Sequence, residues 1–298
     1  MPVPVFFHPD CVAHDPGPGH PESPERLRVL LERLRSSPLV ALKEAPLATD
    51  AQLQAVHDPA YLERLAATAA AGGGRLDADT VMNASSWDAA RRSAGAAMAA
   101  VEAAIGNRGT AFSAGRPPGH HALADSAMGF CLLANAVIAA RHAQLLGAER
   151  PLVVDWDVHH GNGTQALLEH DASIRFVSMH RHPWWPGSGT ADERGVGNIW
   201  NVPRPPGLAP ERYVADLWAA IDEATSNWQP DVIIVSAGFD SMAGDPLGGF
   251  TLEPEHYIEL TGRLRALPGA PALVGLLEGG YIPARLADGA MAHLTALS

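Results

Sequence analysis

Four short runs in this 298-residue chain concentrate side chains that bind metals or move protons. They are Arg116–Ala122 (RPPGHHA), Asp155–Gly163 (DWDVHHGNG), Ser236–Asp240 (SAGFD) and Leu277–Tyr281 (LEGGY). Each follows or closes an apolar stretch. Taken singly, each has an ordinary reading: a His-His pair in a loop is often solvent-exposed, an Asp at a strand end often caps the next helix, and Gly-Gly-Tyr is compatible with a plain turn. The Asp-x-Asp-x-His run is rarer, because polar side chains closing an apolar strand must find partners or cost roughly 1–3 kcal/mol each. Asp157 and His159 are two apart, so in extended chain they project to one side. Asp240 from a neighbouring strand would supply a third ligand. Three protein ligands with an open fourth position is the pattern of a catalytic zinc. Two carboxylates and one imidazole also suit Fe2+ or Co2+. A water bound there would have its pKa lowered towards about 7, giving a nucleophile at neutral pH.

The elements that must position these residues are legible as apolar runs. Val3–His8, Thr110–Ala114, Leu152–Val158, Ile174–His180, Val232–Ala237 and Ala272–Leu277 read as strands. Their hydrophobicity is continuous rather than alternating, which means burial on both faces, as in a parallel sheet covered by helices. Helical patterns separate them at about 129–146, 163–170, 211–227, 254–266 and 283–297, and another begins at Ser23, with Ser23 as N-cap and Pro24 in its first turn. Ala66–Gly74 reads as a helix with a glycine stop and Ala94–Ala104 as a small-residue packing helix. A βαβ succession without linker or repeat predicts one α/β domain spanning residues 1–298. In such sheets ligands bind beyond the carboxyl ends of the strands, where the four runs lie.

Composition narrows the function. The net charge of −12 argues against a nucleic-acid binder that neutralises phosphates. Two cysteines, Cys11 and Cys131, provide no disulfide framework and no cysteine zinc site. A nucleophilic Cys131 would be redundant beside a metal. His8, His14 and His20 cluster near the first strand and read either as rim residues or, more in keeping with their setting, as ordinary polar loop residues. The first residues lack the basic and apolar regions of a secretory leader, and no run of 18 apolar residues occurs, so a cytoplasmic protein without membrane contact is expected.

These runs, with Met128–Cys131 (MGFC) and His20-Pro-Glu, resemble the histone deacetylase superfamily along almost the whole chain, including its acetoin-utilisation and acetylpolyamine amidohydrolase branches. The Asn of GNG and the DWDV wording resemble the class II branch. The resemblance implies a single-domain arginase/deacetylase fold, with a mostly parallel eight-stranded sheet and helices on both faces. It assigns the zinc to Asp157, His159 and Asp240, the general base and acid to His121, and charge stabilisation to His120, oriented by Asp155. Tyr281 would polarise the scissile carbonyl, and the Gly129 carbonyl would receive the amide N–H. Phe130 and Trp185 would wall an acyl-lysine tunnel. Arg26 resembles an arginine at the pocket foot, and Asp79, or its neighbour Asp77, a rim aspartate that grips substrate. A structural potassium would lie at Asp155, Asp157, His159, Ser178 and Met179. Asn162 replaces a carboxylate found in the class I branch and should leave His121 less basic. Arginase-type relatives bind a second metal through an Asp four residues after the first. Here that position is Gly161, and Gly238 and Met242 flank Asp240, so one catalytic ion is expected.

The implied activity is hydrolysis of acetyl or other short acyl groups from Nε-acyl-lysine in peptides or proteins, or from similar N-acyl alkylamines. Acetylated polyamines are the alternative substrates, and a non-catalytic metal-binding protein is the weakest reading. Some polyamine-specific relatives carry a Glu where Leu247 follows Asp245-Pro246. An oligomer is compatible with the sequence.

Overall fold

The computed structural model describes residues 2–107, 109–269 and 271–298. In chain order its strands are β1 (Val3–Phe7), β2 (Val40–Glu44), β3 (Gly73–Arg75), β4 (Val81–Asn83), β5 (Thr110–Ser113), β6 (Pro151–Asp155), β7 (Arg175–Arg181), β8 (Ile199–Arg204), β9 (Val232–Ala237) and β10 (Ala272–Leu277). Its helices are α1 (Asp10–Ala13), α2 (Pro24–Ser36), α3 (Asp50–Gln54), α4 (Pro59–Ala70), α5 (Ser86–Asn107), α6 (Asn135–Leu145), α7 (Asn162–Leu168), α8 (Pro210–Thr225), α9 (Pro254–Arg265) and α10 (Pro283–Leu297). Eight strands form one sheet in the order β2-β1-β5-β10-β9-β6-β7-β8. Every neighbouring pair in it is parallel. The expected eight-stranded α/β fold is therefore present, with β3–β4 as a small antiparallel hairpin beside it.

The strand pleat explains why the apolar runs are continuous. Leu152 and Val154 of β6, with Ile233 and Val235 of β9, face a core completed by α2, α8, α9 and α10. Val153 and Ile234 face the opposite core, against α5, α6 and α7. With both faces covered, alternate residues must all be apolar. On the second face α5 packs through Ala97, Ala100, Val101 and Ala104. Small side chains there bring the helix close to the sheet, and a Cβ at Gly95 would collide with the Pro46 carbonyl.

Several expectations need correction. β2 and β8, read as neither strand nor helix, are the two sheet edges. β2 is half-exposed and β8 carries Pro203, so neither has a uniformly apolar pattern; a proline lacks a ladder donor, which an edge strand tolerates. The helix expected from residue 129 begins at Asn135. Its first six positions form a turn in which Gly129 and Phe130 have φ of +55° and +70°. Ser23 flanks α2 without a side-chain cap, and Pro24 supplies the start signal, as prolines do at α4, α8, α9 and α10. Finally, β6 ends at Asp155, three residues earlier than expected, so Asp157 and His159 lie on a loop.

Candidate active site

The four chemically loaded runs follow β5, β6, β9 and β10, which are the four adjacent central strands of the sheet. Their carboxyl ends deliver the runs to one place. Beyond β6 the loop is wound by its own carboxylates: Asp155 Oδ1 accepts the Asp157 N–H at 3.1 Å, and Asp157 Oδ1 accepts the His159 N–H at 3.0 Å. Two successive aspartate turns, rather than a pleated strand, therefore bring Asp157 and His159 together.

Asp157, His159 and Asp240 are buried, and one donor atom from each lies within 4.8 Å of the others. His159 Nδ1 is 3.0 Å from Asp157 Oδ1 and 3.3 Å from Asp240 Oδ2. The second oxygens are anchored by backbone: Asp157 Oδ2 accepts the Gly279 N–H and Asp240 Oδ1 the Val158 N–H, both at 2.8 Å. Asp240 Oδ2 is buried without a hydrogen-bond partner. Burial and the adjacent Asp157 push Asp240 up to about 7. An orphaned carboxylate oxygen, crowded against a second carboxylate and an imidazole, is the environment a divalent cation relieves, so the residues fit a metal. A Cβ at Gly238 or Gly279 would run into these carboxylates, which accounts for glycine at both positions.

His120 and His121 stack beside this cluster with ring centroids 3.8 Å apart. His121 Nδ1 donates to Asn162 Oδ1 at 2.7 Å, and the Asn162 amide nitrogen faces Met128 Sδ. This leaves His121 Nε2 as an acceptor. Burial, with His120 and His159 nearby, holds His121 well below the usual histidine range. His120 Nδ1 lies 3.0 Å from Asp155 Oδ2. Burial opposes its charge, but Asp157 and Asp155 outweigh that and hold it well above the usual range. The two histidines thus differ sharply in basicity while stacked on each other.

A cavity of about 160 Å3 opens onto this floor, and His121, His159 and Tyr281 line its depth. Gly129, Phe130, Trp185, Trp184, Leu247 and Asp79 complete its lining. A Cβ on Gly129 would come within 2.5 Å of the Trp185 ring and 2.6 Å of His121. Burial, reinforced by Asp240 and Asp157, raises the Tyr281 phenol well above its usual value. Of the two rim candidates only Asp79 lines the cavity. Asp77 Oδ1 instead accepts the backbone N–H groups of Asp79 and Thr80. Arg26 does not line this cavity. Its buried guanidinium donates to the Gly280 carbonyl at 2.6 Å and to the Glu278 carbonyl, and lies 5.0 Å from the Tyr281 ring centroid. It holds the loop carrying Tyr281 from behind. Among the residues assigned to potassium, Asp155 and Ser178 are paired neighbours on β6 and β7. Ser178 Oγ is hydrogen-bonded to His180, and the Met179 side chain packs in the core.

Two supporting residues carry no role in the sequence reading. Glu278 Oε2 accepts the Gly119 N–H at 2.7 Å and the His120 N–H at 3.3 Å, fixing the histidine loop. A carboxylate closing an apolar strand is the same signal that singled out Asp155, and it was available. Glu22 is fully buried between two arginines, accepting from Arg116 Nε and Nη2 at 2.5 and 2.7 Å and from Arg26 Nη1 at 2.6 Å. It stands in the His20-Pro-Glu run that carries the resemblance, but nothing local signals its burial between arginines.

The family model for the histone deacetylase domain matches residues 20–297. A "Histone deacetylase-like amidohydrolase" from Pseudomonas aeruginosa is 40% identical over 294 residues, covering 94% of this chain and 76% of that protein. "Polyamine deacetylase HDAC10" from Homo sapiens is 37% identical over 291 residues, covering 90% of this chain and 43% of that protein. The crystal structure of the HDA15 HD domain superposes with a TM-score of 0.94 at 35% identity, covering 99% of this chain and 90% of that one.

Proposed function

The chain belongs to the histone deacetylase family, and from that premise we propose a metal-dependent hydrolase that removes acetyl or other short acyl groups from Nε-acyl-lysine or similar linear N-acyl alkylamines. The observation that carries it is the convergence of Asp157, His159 and Asp240 at the floor of a cavity that His121 and Tyr281 also line. Zinc, held by those three side chains with Fe2+ or Co2+ as substitutes, would supply Lewis-acid polarisation and a water of lowered pKa.

The chain's own residues do the rest. His121, neutral and with Nε2 free, accepts the proton of the attacking water and then delivers it to the leaving amine. His120, kept protonated by Asp155 and Asp157, supports the negative charge that develops beside it. Tyr281 donates its O–H to the carbonyl oxygen as charge builds there, and its raised pKa keeps that proton in place. Phe130 and Trp185 bury the methylene stem and exclude water, and the Gly129 carbonyl takes the amide N–H.

A second reading, hydrolysis of acetylated polyamines, is favoured by the Asp79 carboxylate at the rim and by the net charge of −12. Leu247 weighs against it, because an apolar wall leaves a second ammonium unpaired. The test is kcat/KM for acetyl-, propionyl- and longer acyl-lysine peptides against N-acetylputrescine and N8-acetylspermidine. Preference for a peptide supports the first reading. A polyamine preferred tenfold, about 1.4 kcal/mol of transition-state stabilisation, replaces it with the second.

A further inference from the structure

Arg181, the last residue of β7, touches both sides of the cavity mouth. Its guanidinium carbon stacks 3.5 Å from the ring centroid of Trp184, and its Nη1–H donates to the Gly248 carbonyl at 2.7 Å. Trp184 and Leu247, the residue before Gly248, both line the cavity, and they come from loops far apart in sequence. Trp184 as a residue is 39% exposed, so without a partner its ring would be free to swing on its loop. The brace is itself anchored to the floor. The Arg181 N–H donates to the Val158 carbonyl at 2.8 Å, between the two metal-site residues of that loop. On the other side Asp245 accepts the Leu247 N–H at 3.0 Å through Oδ1 and the Tyr281 N–H at 2.7 Å through Oδ2. Gly249, with φ of +148°, lies against the arginine stem, where a Cβ would come within 2.8 Å of Arg181 Cδ.

We infer that Arg181 is a specificity-determining positioning residue, which braces Trp184 against the Leu247–Gly248 segment and so sets the width of the mouth for an unbranched stem. This rests on the deacylase reading for its substrate class. The physical basis is the shape of the guanidinium. A planar fork stacks on a ring through its face and donates in its plane at the same time, whereas a lysine ammonium cannot do both. Fixing the ring plane on one side and the main chain on the other holds the two walls at one separation, and a stem wider than a methylene chain is then excluded sterically.

The experiment compares an acetyl-lysine peptide with the same peptide carrying 4-(acetamidomethyl)phenylalanine, whose stem is an aromatic ring. In the Arg181→Met holoenzyme the ratio of kcat/KM for the aryl over the linear substrate should rise about five- to tenfold, chiefly through a lower KM for the aryl peptide. Arg181→Lys should recover part of the discrimination. A loss shared equally by both substrates, with the ratio unchanged, means a merely structural residue and overturns the inference. Independently of turnover, the 5-fluorotryptophan resonance of Trp184, assigned with Trp184→Phe, should shift or broaden in Arg181→Met, and an unchanged resonance also overturns it. If the wild type hydrolyses neither peptide, the deacylase reading fails, and the fluorine signal alone decides whether Arg181 is the brace.

Discussion

Two buried clusters at the strand ends each bring three metal-binding side chains together: Asp157, His159 and Asp240 in one, His120, Cys131 and Glu278 in the other. By donor type and proximity they are similar. They differ in what the donors are already doing. In the second cluster His120 Nδ1 is committed to Asp155, and Glu278 Oε2 to two backbone N–H groups. Burial and the nearby Glu278 push the Cys131 thiol well above its usual value, so it stays a thiol rather than a thiolate. In the first, backbone N–H groups hold both oxygens of Asp157 and one of Asp240, and Asp240 Oδ2, 3.3 Å from His159 Nδ1, is left without a hydrogen-bond partner. An orphaned oxygen does not separate the two, since Glu278 Oε1 is also buried without a partner; the difference lies in the proton that the buried Cys131 thiol keeps and in the pairing of His120 with Asp155.

The largest effects should separate the two clusters. Asp157→Asn or Asp240→Asn should remove the bound divalent ion and cut turnover by about 10³-fold or more, some 4 kcal/mol of transition-state stabilisation. Cys131→Ala should retain one ion per chain and turnover within about fivefold, the scale of a ~1 kcal/mol core change. Metal analysis and kcat/KM of the purified variants check both, and metal loss in Cys131→Ala with retention in Asp240→Asn would reverse the assignment. Next in size, Tyr281→Phe should leave the metal content unchanged while lowering kcat by about 10²–10³-fold, the usual cost of one oxyanion donor.

A smaller effect is the pH dependence of metal binding. With Asp240 at about 7 in the metal-free protein, a proton competes with the cation at and below neutrality. Affinity should therefore weaken as pH falls from about 8 to 6, approaching a tenfold loss per unit once that carboxyl is protonated. Titration with a chelator-buffered divalent ion measures it, and a flat profile would contradict the crowded-carboxylate picture. Smallest is Asn162→Asp. A carboxylate accepting from His121 Nδ1 favours the imidazolium, so the acid limb of the kcat/KM profile should move up by about one unit or less. A shift to lower pH would mean that His121 is not the group titrating.

Much of this molecule is local enough to be legible in order. The six central strands were visible because burial on both faces demands uninterrupted apolar residues, and the motifs stood at their ends because polar side chains are tolerated there. The edge strands β2 and β8 were not, because a half-exposed edge imposes no such pattern. Residue types and spacing named Asp157, His159 and Asp240 as a set, and the resemblance added His121 and Tyr281.

How that set meets was decided by tertiary structure. Only the strand order puts β5, β10, β9 and β6 side by side, so that runs more than a hundred residues apart share one floor. The strand expected after Asp155 gives way to two local aspartate turns, and the fold puts Asp79 rather than Asp77 on the cavity lining. Arg26 went behind the Tyr281 loop rather than into the cavity, and Glu22 was buried between two arginines. The placements of Arg26 and Glu22 depend on which groups of distant segments face the side chain. Pairings of that kind are set by the fold as a whole and leave no mark in the spacing of neighbouring residues.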